Sequence, residues 1–567
     1  MSSVPPLVEC VPNFSEGRDP VAIRQITDAI EAVDGVRLLD VDPGKATHRT
    51  VVTFVGPPDA VAEAAFQAIR VAADVIDMRR HHGEHPRMGA TDVCPLVPVA
   101  GIAMDAVVAL ARALGRRVGD ELAIPVYLYE HAASRPERRN LATIRAGEYE
   151  GLAEKLRDPA WAPDFGPAAF NARSGATVVG ARDFLVAYNV NLNTTSTRRA
   201  SAVAFDVREQ GRLKRSGDPL TGPVVRDASG EPVWEPGLLK AVKAIGWYIP
   251  EYGVAQVSMN LTDLEATPLH TAFEACCQRA EARGMRVTGS ELVGMVPLRV
   301  LLDAGRHFLR RQQRSVGVPE AELVRIAVRS LGLDDLAPFD PDQKVIEHRL
   351  RSGAPAADPL VRLSLADFAD ATASESPAPG GGSVAAYVGA LGAALGTMVA
   401  NVSAHKRGWD ARWETFSDWA EIGQRHVAAL RALVDEDTRA FNAVLDAGRL
   451  PHGTPREAAV RDAAVEAANR RAIEVPLEVM RTAAASMDVM AAMAELGAAE
   501  AVSDAGVGAL CARMAAAGAL LNVRINAVNL RDRDAARALV AEGEAVMAEV
   551  EARERAVLER VAARMAG

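Results

Sequence analysis

Cysteine is scarce in this chain of 567 residues, and the cysteines that occur form no recognisable pattern. The five are Cys10, Cys94, Cys276, Cys277 and Cys511. Their odd number and scattered spacing fit neither a disulfide framework nor a zinc site, and adjacent cysteines such as Cys276 and Cys277 rarely bridge each other. This usage indicates a reducing compartment, and we expect a cytoplasmic protein.

An excess of positive charge is also missing, since 64 Lys and Arg stand against 74 Asp and Glu, for a formal net charge of −10. No basic face stands out to neutralise phosphates, so no nucleic-acid partner is expected. Residues 1–11 lack the basic and apolar regions of a secretory signal. Residues 380–402 carry no charge, but they are mostly Ala and Gly, which insert poorly into membranes. We expect a helix packed in a protein core or subunit interface, and no membrane association.

The length predicts several domains, and the residue pattern divides the chain into regions. Residues 1–180 show strand and helix signals in the order β-α-β-β-α-β, and a similar order returns in residues 181–340. Residues 341–362 read as a linker. Residues 363–567 are rich in Ala, with apolar residues three and four apart, which predicts an all-α bundle. We therefore predict a multidomain fold in which two tandem ferredoxin-like α+β subdomains enclose a cleft and precede a helical domain.

A histidine-rich loop at residues 81–89 precedes a predicted buried strand. His82 and His85 could chelate a metal, but the only carboxylates close by are Glu84 and Asp92, and no helical H-E-x-x-H spacing is present. We therefore predict no metal site. A histidine that gives and takes a proton fits the loop better. A solvated polar loop is the alternative, and residue types alone do not separate the two readings.

The helical region contains a glycine run, Gly380–Gly382, at the start of a predicted helix. Such a turn exposes backbone N–H groups, which suit an anion or a polar ring edge. A nucleotide-binding P-loop is disfavoured because no Lys-Ser/Thr pair follows the glycines. The alternative is that the glycines only permit a tight turn and close helix packing.

A second candidate in this region is Asp437, which falls on the apolar face of its helix. It follows Leu433 by four residues, follows Val434 by three and precedes Phe441 by four. Burial would raise the pKa of this carboxyl group and let it act as a general acid. An interhelical hydrogen bond or ion pair is the competing interpretation.

Several runs in the first half closely resemble the formimidoyltransferase family: VECVPNFSEG at residues 8–17, LLDVD at 38–42, GEHPRMG at 83–89 and WAPDFGP at 161–167. The resemblance implies transfer of a formimidoyl group between N-formimidoyl-L-glutamate and N5 of tetrahydrofolate. It also implies that His85 is the proton donor. The family's folate-binding segment falls on Gly166, Pro167, Ala168, Ala169, Phe170, Asn171, Ala172, Arg173, Ser174 and Gly175.

The helical region resembles the formimidoyltetrahydrofolate cyclodeaminase family, through residues 376–401, LVDED at 433–437 and NVRIN at 522–526. The resemblance implies ring closure to 5,10-methenyltetrahydrofolate with loss of ammonia, and it makes Asp437 the catalytic carboxylate. It further implies a homo-oligomer formed through the helical domain. Our own hypothesis is that the tetrahydrofolate co-substrate is polyglutamylated and that its tail tethers the intermediate between the two sites. Asn522 and Asn526, one turn apart, are spaced to face a pterin. A folate-binding or scaffold protein without catalysis, and a nucleotide-binding enzyme, are the alternatives from other classes.

Overall fold

The computed structural model describes residues 6–44, 48–82, 86–217, 222–250, 252–351, 360–376 and 378–566. The described residues divide into two compact units. The first is drawn from Met1–Val300 and Leu331–Gly353, and the second from Leu301–Ser330 and Ala354–Gly567.

The first unit opens with a seven-stranded sheet and the helices that cover it. Its strands are β1 (Leu7–Cys10), β2 (Asn13–Phe14), β3 (Arg37–Gly44), β4 (Arg49–Gly56), β5 (Thr91–Ala100), β6 (Val126–Glu130) and β7 (Thr177–Ala181). Its helices are α1 (Pro20–Glu31), α2 (Pro58–Val75), α3 (Met104–Leu122), α4 (Leu141–Arg145) and α5 (Glu148–Lys155). The strand order is β3-β4, then β1 and β2 in line, then β5-β7-β6, and only the β5–β7 and β6–β7 pairs are parallel among these strands.

Helix α1 illustrates how local chemistry builds this layer. The Asp19 side chain accepts a hydrogen bond from the backbone N–H of Val21, and Pro20 occupies the first helical turn, where its missing N–H costs nothing. The buried residues Ala22, Ile26 and Ile30 recur every four positions, so one face of the helix packs into the core. An Asp-Pro pair is by itself a sequence signal that predicts a helix start at residue 20, and the helix begins there.

A second, four-stranded sheet follows in the first unit. The next elements are β8 (Val186–Leu192), α6 (Thr197–Val207), β9 (Arg212–Leu213), β10 (Trp234–Glu235), β11 (Val242–Ile249), β12 (Val254–Leu261), α7 (Leu269–Glu281) and β13 (Val287–Val293). The sheet order is β11-β12-β8-β13 with every neighbouring pair antiparallel, while β9 and β10 form a separate two-stranded sheet. Four helices come next: α8 (Leu298–Arg311), α9 (Glu320–Leu331), α10 (Pro341–Lys344) and α11 (Ile346–Arg351). The segment predicted as a linker therefore begins with two short helices.

The second unit is helical throughout its described residues. Its elements are α12 (Leu365–Ala373), α13 (Gly381–Ala404), α14 (Trp413–Gly448), α15 (Pro455–Leu496), α16 (Val502–Ala527) and α17 (Arg533–Ala566). Small residues let the central helices approach closely: a Cβ added to Gly392 on α13 would lie 2.7 Å from the carbonyl oxygen of Gly508 on α16. Residues 301–330 join this unit, because the N–H of Val316 donates to Ser417 Oγ at 3.0 Å and Asn401 Nδ2 donates to the carbonyl of Gly317 at 2.8 Å.

Two helical stretches of the second unit, Gly381–Ala404 and Ala499–Ala527, are long and apolar enough to cross a membrane, with mean hydropathy of 1.6 and 1.4. Of the residues in the most apolar 18-residue window of each stretch, 61% and 50% are buried against the rest of the chain. Each stretch therefore has a packed face and an exposed one. The exposed apolar residues, which we call the α13/α16 apolar face, are Leu391, Met398, Val402, Val507, Leu510, Met514, Leu521, Ile525 and Val528.

Candidate active sites

A cleft of about 690 Å³ lies in the first unit, with walls from both sheets. Side chains of a strand alternate between faces, so Val8 and Cys10 enter the core while Val11 and Asn13, just beyond β1, line the cleft. Asn13 is held in place because its Nδ2 donates to the carbonyl of Val11 at 3.1 Å. The polar motif that follows β1 therefore forms part of the cleft wall.

Cationic side chains dominate the charge of this cleft. Arg49, Arg145, Arg182 and Lys243 line it, against the carboxylates of Glu130 and Glu148. These cations come from β4, α4, the end of β7 and β11, so only the folded chain collects them. A partly enclosed pocket with an excess of positive charge favours an anionic small molecule.

The Arg145 side chain is oriented by a buried carboxylate. Asp92 is 1% exposed, accepts from the N–H of Met88 at 2.9 Å and from Arg145 Nε at 3.3 Å, and also contacts Arg145 Nη2. Burial raises the pKa of Asp92, and Arg145 opposes that rise. The pKa of Arg49 is lowered by burial and by the neighbouring Arg145, so the two guanidinium groups crowd each other and favour an added anion.

His85, the predicted proton donor, lies outside the described residues. Its neighbour Pro86 lines the cleft. On the other side, His82 lines a second cavity of about 440 Å³ together with Arg87 and Glu148. Glu148 lines both cavities, so the residues that flank His85 in the sequence border the same region of the first unit.

The contacts of His81 fix its tautomer and remove it as a second acid–base candidate. Arg87 Nε donates to His81 Nδ1 at 3.2 Å, and a guanidinium can only donate, so Nδ1 carries no proton. His81 Nε2 therefore holds the proton and donates it to the carbonyl of His48 at 2.8 Å. The pKa of His81 is lowered, mainly by burial, and its ring stacks on that of His48 at 4.3 Å. This histidine is neutral and has a structural role.

The predicted folate segment, Gly166–Gly175, contributes none of the described residues that line the cleft or the smaller cavity. The Phe170 ring, 39% exposed, packs 5.4 Å from that of Tyr149, whose hydroxyl donates to the carbonyl of Ala172 at 2.5 Å. Arg173 donates to the carbonyls of Ala73 and Asp74, which end helix α2. Asn171 Oδ1 accepts from the N–H groups of Arg173 and Ser174 at 3.1 Å each. Polar groups at the segment's centre are thus committed to the protein itself.

A third pocket, of about 260 Å³, lies among the helices of the second unit, and Asp437 lines it. The glycine run at the start of α13 forms one wall, with Asn469, Asn522 and Asn526 on the helices opposite. The apolar stripe of α14 changes character here: Leu433 and Val434 are buried, whereas Phe441 is 37% exposed and lines the pocket. Asp437 sits where the core face turns into the pocket wall.

The Asp437 carboxylate rests on the first turn of α13. The Ser383 hydroxyl lies 3.0 Å from Oδ2, and the Ser383 backbone N–H also donates to the carboxylate. Burial raises the pKa of Asp437, and the hydrogen bonds from Ser383 limit the rise. A Cβ on Gly382 would overlap the carboxylate, so glycine at this position makes the close approach possible. The glycine run therefore lets the Asp437 carboxylate contact the first turn of α13, in addition to permitting a tight turn.

Three asparagines of this pocket are anchored through their side-chain nitrogens. Asn469 donates to the carbonyl of Asn529 at 3.2 Å, Asn522 to that of Gly518 at 3.0 Å, and Asn526 to that of Ala472 at 2.8 Å. A backbone carbonyl can only accept, so the bonded atom must be Nδ2. The carbonyl oxygens of these amides are then available as acceptors toward a ligand with N–H groups.

Three protein-family models match the chain: the formiminotransferase domain, N-terminal subdomain, over residues 7–182, the formiminotransferase domain over 187–351, and formiminotransferase-cyclodeaminase over 364–545. The formimidoyltransferase-cyclodeaminase of Sus scrofa is 43% identical over 561 residues, which are 99% of each chain. The chain belongs to the formimidoyltransferase-cyclodeaminase family. The formimidoyltransferase-cyclodeaminase of Rattus norvegicus is 44% identical over 526 residues, which are 93% of each chain. The glutamate formimidoyltransferase of Thermoplasma acidophilum is 42% identical over 306 residues, which are 54% of this chain and 92% of the relative.

The family assignment inferred from sequence is therefore confirmed, and the cleft and the Asp437 pocket both fall inside matched regions. The cleft lies within the two formiminotransferase matches and the Asp437 pocket within the formiminotransferase-cyclodeaminase match. Sequence reasoning found Asp437, Asn522 and Asn526, but it missed Arg145, Lys243, Ser383 and Asn469. Lone polar residues carry no sequence signal of a shared site, although Ser383 directly follows the glycine run. Among the described residues, no group of three His, Cys, Asp or Glu is placed to hold a metal ion.

Proposed function

We propose that this bifunctional enzyme transfers the formimidoyl group from N-formimidoyl-L-glutamate to tetrahydrofolate, and then cyclises 5-formimidoyltetrahydrofolate to 5,10-methenyltetrahydrofolate with release of ammonia. The observation that carries the proposal is the half-buried Asp437 in a pocket lined by a glycine-rich helix start and by asparagines. Membership of the formimidoyltransferase-cyclodeaminase family supports both half-reactions.

For the transfer, His85 is the proposed acid–base residue. The N5 amine of tetrahydrofolate must attack the amidine carbon as a free base, and the departing glutamate nitrogen must be protonated. One imidazole, which can both take and give a proton near neutral pH, serves both steps, for a contribution of roughly 100- to 10,000-fold. The cationic cleft supports the assignment, because N-formimidoylglutamate carries two carboxylates that Arg145, Lys243 and their neighbours attract.

For the cyclisation, N10 attacks the amidine carbon and the amine nitrogen leaves as ammonia. A carboxylic acid whose pKa is raised by burial stays protonated closer to neutral pH. Asp437 is such a group, and it supplies the proton to the leaving nitrogen. The outward carbonyls of Asn469, Asn522 and Asn526 suit the N–H groups of a pterin.

The residues 166–175 are proposed as the folate segment of the transferase half. Within it the exposed residues Pro167, Ala168, Ala169 and Phe170 are the proposed contact surface. Gly166 and Gly175 adopt φ values of +79° and +66°, which favour glycine for backbone reasons. Phe170 offers an aromatic face on which a ring of the folate stacks.

Three finer features of organisation complete the proposal. Residues 1–180 and 181–340 are two tandem ferredoxin-like subdomains, a reading supported by the β-α-β-β-α-β order and by the antiparallel order β11-β12-β8-β13. They are followed by a linker at 341–362 and a cyclodeaminase domain at 363–567. The protein is cytoplasmic, and it acts without membrane or nucleic-acid partners.

The α13/α16 apolar face is proposed as the surface on which copies of the chain assemble. It is too apolar for a surface that stays in water. Charged helix α17, which pairs with α16 through Arg524–Glu544 and Arg513–Glu554, argues for a protein neighbour over lipid. Leu510→Glu is expected to dissociate the oligomer in light scattering. An unchanged mass would contradict the assignment.

The tetrahydrofolate co-substrate is proposed to carry a polyglutamate tail that keeps the intermediate near the chain between the two reactions. A lag before methenyl product, with free intermediate trapped by added cyclodeaminase activity, would contradict this tethering.

The decisive experiment separates the half-reactions in the purified full chain. His85→Ala is expected to lower transferase turnover by roughly 100-fold or more while the conversion of supplied 5-formimidoyltetrahydrofolate continues. Asp437→Asn is expected to show the opposite pattern. The matched controls are His131→Ala, since His131 pairs with Asp183 at the surface, and Asp435→Asn, since Asp435 accepts from the N–H of Leu360. Near-normal turnover in either active-site variant would remove that residue from its role.

A further inference from the structure

Ser383 is the one hydroxyl donor recorded on Asp437 among the described residues, and its surroundings give it two alternative acceptors. Its side chain is 0% exposed. Its Oγ lies 3.0 Å from Asp437 Oδ2 and 3.0 Å from the carbonyl oxygen of Val434, with Thr438 Oγ1 at 3.3 Å. A hydroxyl has one proton to donate and two lone pairs that accept, so it cannot donate to both oxygens at once.

The protonation state of Asp437 decides between the two arrangements. When the carboxylate is ionised it can only accept, and the Ser383 proton points to Oδ2. When the acid is neutral and the pocket holds no substrate, Oδ2–H donates to Ser383 Oγ, and the serine proton turns to the Val434 carbonyl. When the leaving nitrogen is bound, the acid proton turns to that nitrogen and the serine proton returns to Oδ2. Both arrangements are complete hydrogen-bond sets that need no movement of heavy atoms.

We propose that Ser383 is a positioning residue of the cyclodeaminase half, a rotating hydroxyl that satisfies Asp437 both before and after it gives up its proton. The inference rests on the proposed role of Asp437 as the acid of the cyclisation. It assigns a function to the residue that ends the glycine run, which otherwise reads as part of a helix start.

The chemistry requires both states within each turnover. N10 forms a bond to the amidine carbon and loses its proton, and the bond from that carbon to the terminal nitrogen breaks. Ammonia leaves with the hydrogen it already carried, the hydrogen from N10 and the hydrogen from Asp437. While the methenyl product is bound, its positive charge balances the negative charge left on Asp437. After the product leaves, the carboxylate takes up a solvent proton, which is the one proton that the net reaction consumes. An acid without a matching hydroxyl would be unsatisfied on one side of this cycle.

Few other groups titrate near this pair. Asp437 is the only titratable side chain among the described residues that line the pocket, including those from α13, α15 and α16. Its neighbours on α14 are engaged elsewhere: Asp435 accepts from Leu360, and Glu436 pairs with Arg471 at 2.9 Å and with Arg439 at 3.2 Å. A change in the pH dependence of cyclisation after altering Ser383 is therefore read through Asp437.

The test measures kcat for supplied 5-formimidoyltetrahydrofolate in the full chain, between roughly pH 5 and pH 9. This window lies above the ordinary Asp pKa of about 3.9, because burial raises the pKa of Asp437. For Ser383→Ala we expect a plateau lowered by about 10-fold and an alkaline limb displaced to higher pH, because a hydrogen bond to the charged form is lost. Ser486→Ala is the matched control, since Ser486 is also 0% exposed and donates only to a backbone carbonyl, that of Ala483 at 2.7 Å. Transferase activity in each variant reports that the protein is folded.

Ser383→Cys keeps the side-chain volume with a weak donor and is expected to lie between wild type and Ser383→Ala; it replaces the alanine variant if that protein does not fold. Superimposable pH profiles of wild type and the Ser383 variant would overturn the inference, as would a lowered plateau with an unmoved limb. A wild-type protein that fails to cyclise the substrate would instead overturn the proposed function.

Discussion

The contact between Gly382 and Asp437 makes a sharp prediction about the second active site. Gly382→Ala adds one methyl group, which would overlap the Asp437 carboxylate. The obstructed atoms belong to the end of a side chain rather than to backbone, so Asp437 is expected to rotate away while α13 keeps its place. The neighbouring Gly381→Ala is a matched control, because its Cβ would meet only Asn522 Nδ2, at an ordinary 3.6 Å.

Both substitutions should gain helix stability, but only Gly382→Ala should lose the hydrogen bonds between Ser383 and Asp437. Replacing glycine by alanine in a helix stabilises it by up to about 1 kcal/mol. In Gly382→Ala this gain is offset by the lost hydrogen bonds from Ser383, each about 1.5–3 kcal/mol to a charged group. Displacement of the acid removes the roughly 100- to 10,000-fold contribution of general acid catalysis. We therefore expect Gly382→Ala to lower the free energy of unfolding by about 2–5 kcal/mol, the loss of two hydrogen bonds less the helix gain, and to lower cyclodeaminase turnover by about two orders of magnitude.

The assay follows methenyltetrahydrofolate absorbance and ammonia release from supplied 5-formimidoyltetrahydrofolate, with transferase turnover measured separately in the same preparation. Gly381→Ala should retain the transferase and the kcat of cyclisation, with any change confined to KM because Gly381 lines the pocket, whereas Gly382→Ala should retain only the transferase. If Gly382→Ala cyclises the substrate at the wild-type rate, the close contact between Asp437 and α13 is not needed for turnover. Equal losses in both variants would show that the helix start, and not the carboxylate, is sensitive.

Three further predictions follow from other sites. Burial raises the pKa of Glu9 from 4.5 to about 7. Between these pH values the folded state holds a proton that the unfolded state has lost, so the free energy of unfolding falls as pH rises through them. In denaturant unfolding, Glu9→Gln should therefore stabilise the chain by about 3 kcal/mol at pH 8 and by little near pH 4. Lys243→Gln should raise KM for N-formimidoylglutamate about 5-fold in a salt-sensitive way, whereas Lys240→Gln, an exposed lysine that faces Glu209 at 3.7 Å, should not. Asn526→Leu should raise KM for 5-formimidoyltetrahydrofolate roughly 10-fold or more through the lost acceptor, with transferase kinetics unchanged; an unaltered KM would remove Asn526 from the pterin site.

Sequence reasoning succeeded where local rules decide the outcome. The helix start at Asp19 and Pro20 and the helical character of the second unit follow from capping, propensity and periodicity. The position of Asp437 could be predicted because three- and four-residue spacing fixes the face of a helix. The same rule predicted that Phe441 would be buried, yet it lines a pocket, since periodicity does not reveal where a core ends.

Long-range neighbours were beyond reach for a physical reason. Arg145 and Lys243 meet only because their elements border one cleft, and no short-range pattern encodes that meeting. The resemblance assigns Arg173 to the folate segment, and the structure adds hydrogen bonds to the end of α2 that no short-range pattern predicts. Whether a polar side chain faces a ligand or completes a neighbouring helix depends on tertiary contacts that a single segment does not contain.

The packing of residues 301–330 has a practical consequence for anyone who divides this protein. The chain enters the second unit at Leu301, returns to the first at Leu331 and enters the second again at Ala354. Truncation in the linker would therefore remove the residues of the second unit against which residues 301–330 pack. One such contact is that of Gly317 with the backbone of Ala420. A transferase fragment ending near residue 351 would expose to solvent an apolar surface that is buried in the full chain. If such a fragment is insoluble, the cause would be this exposed surface rather than a defect of the catalytic cleft.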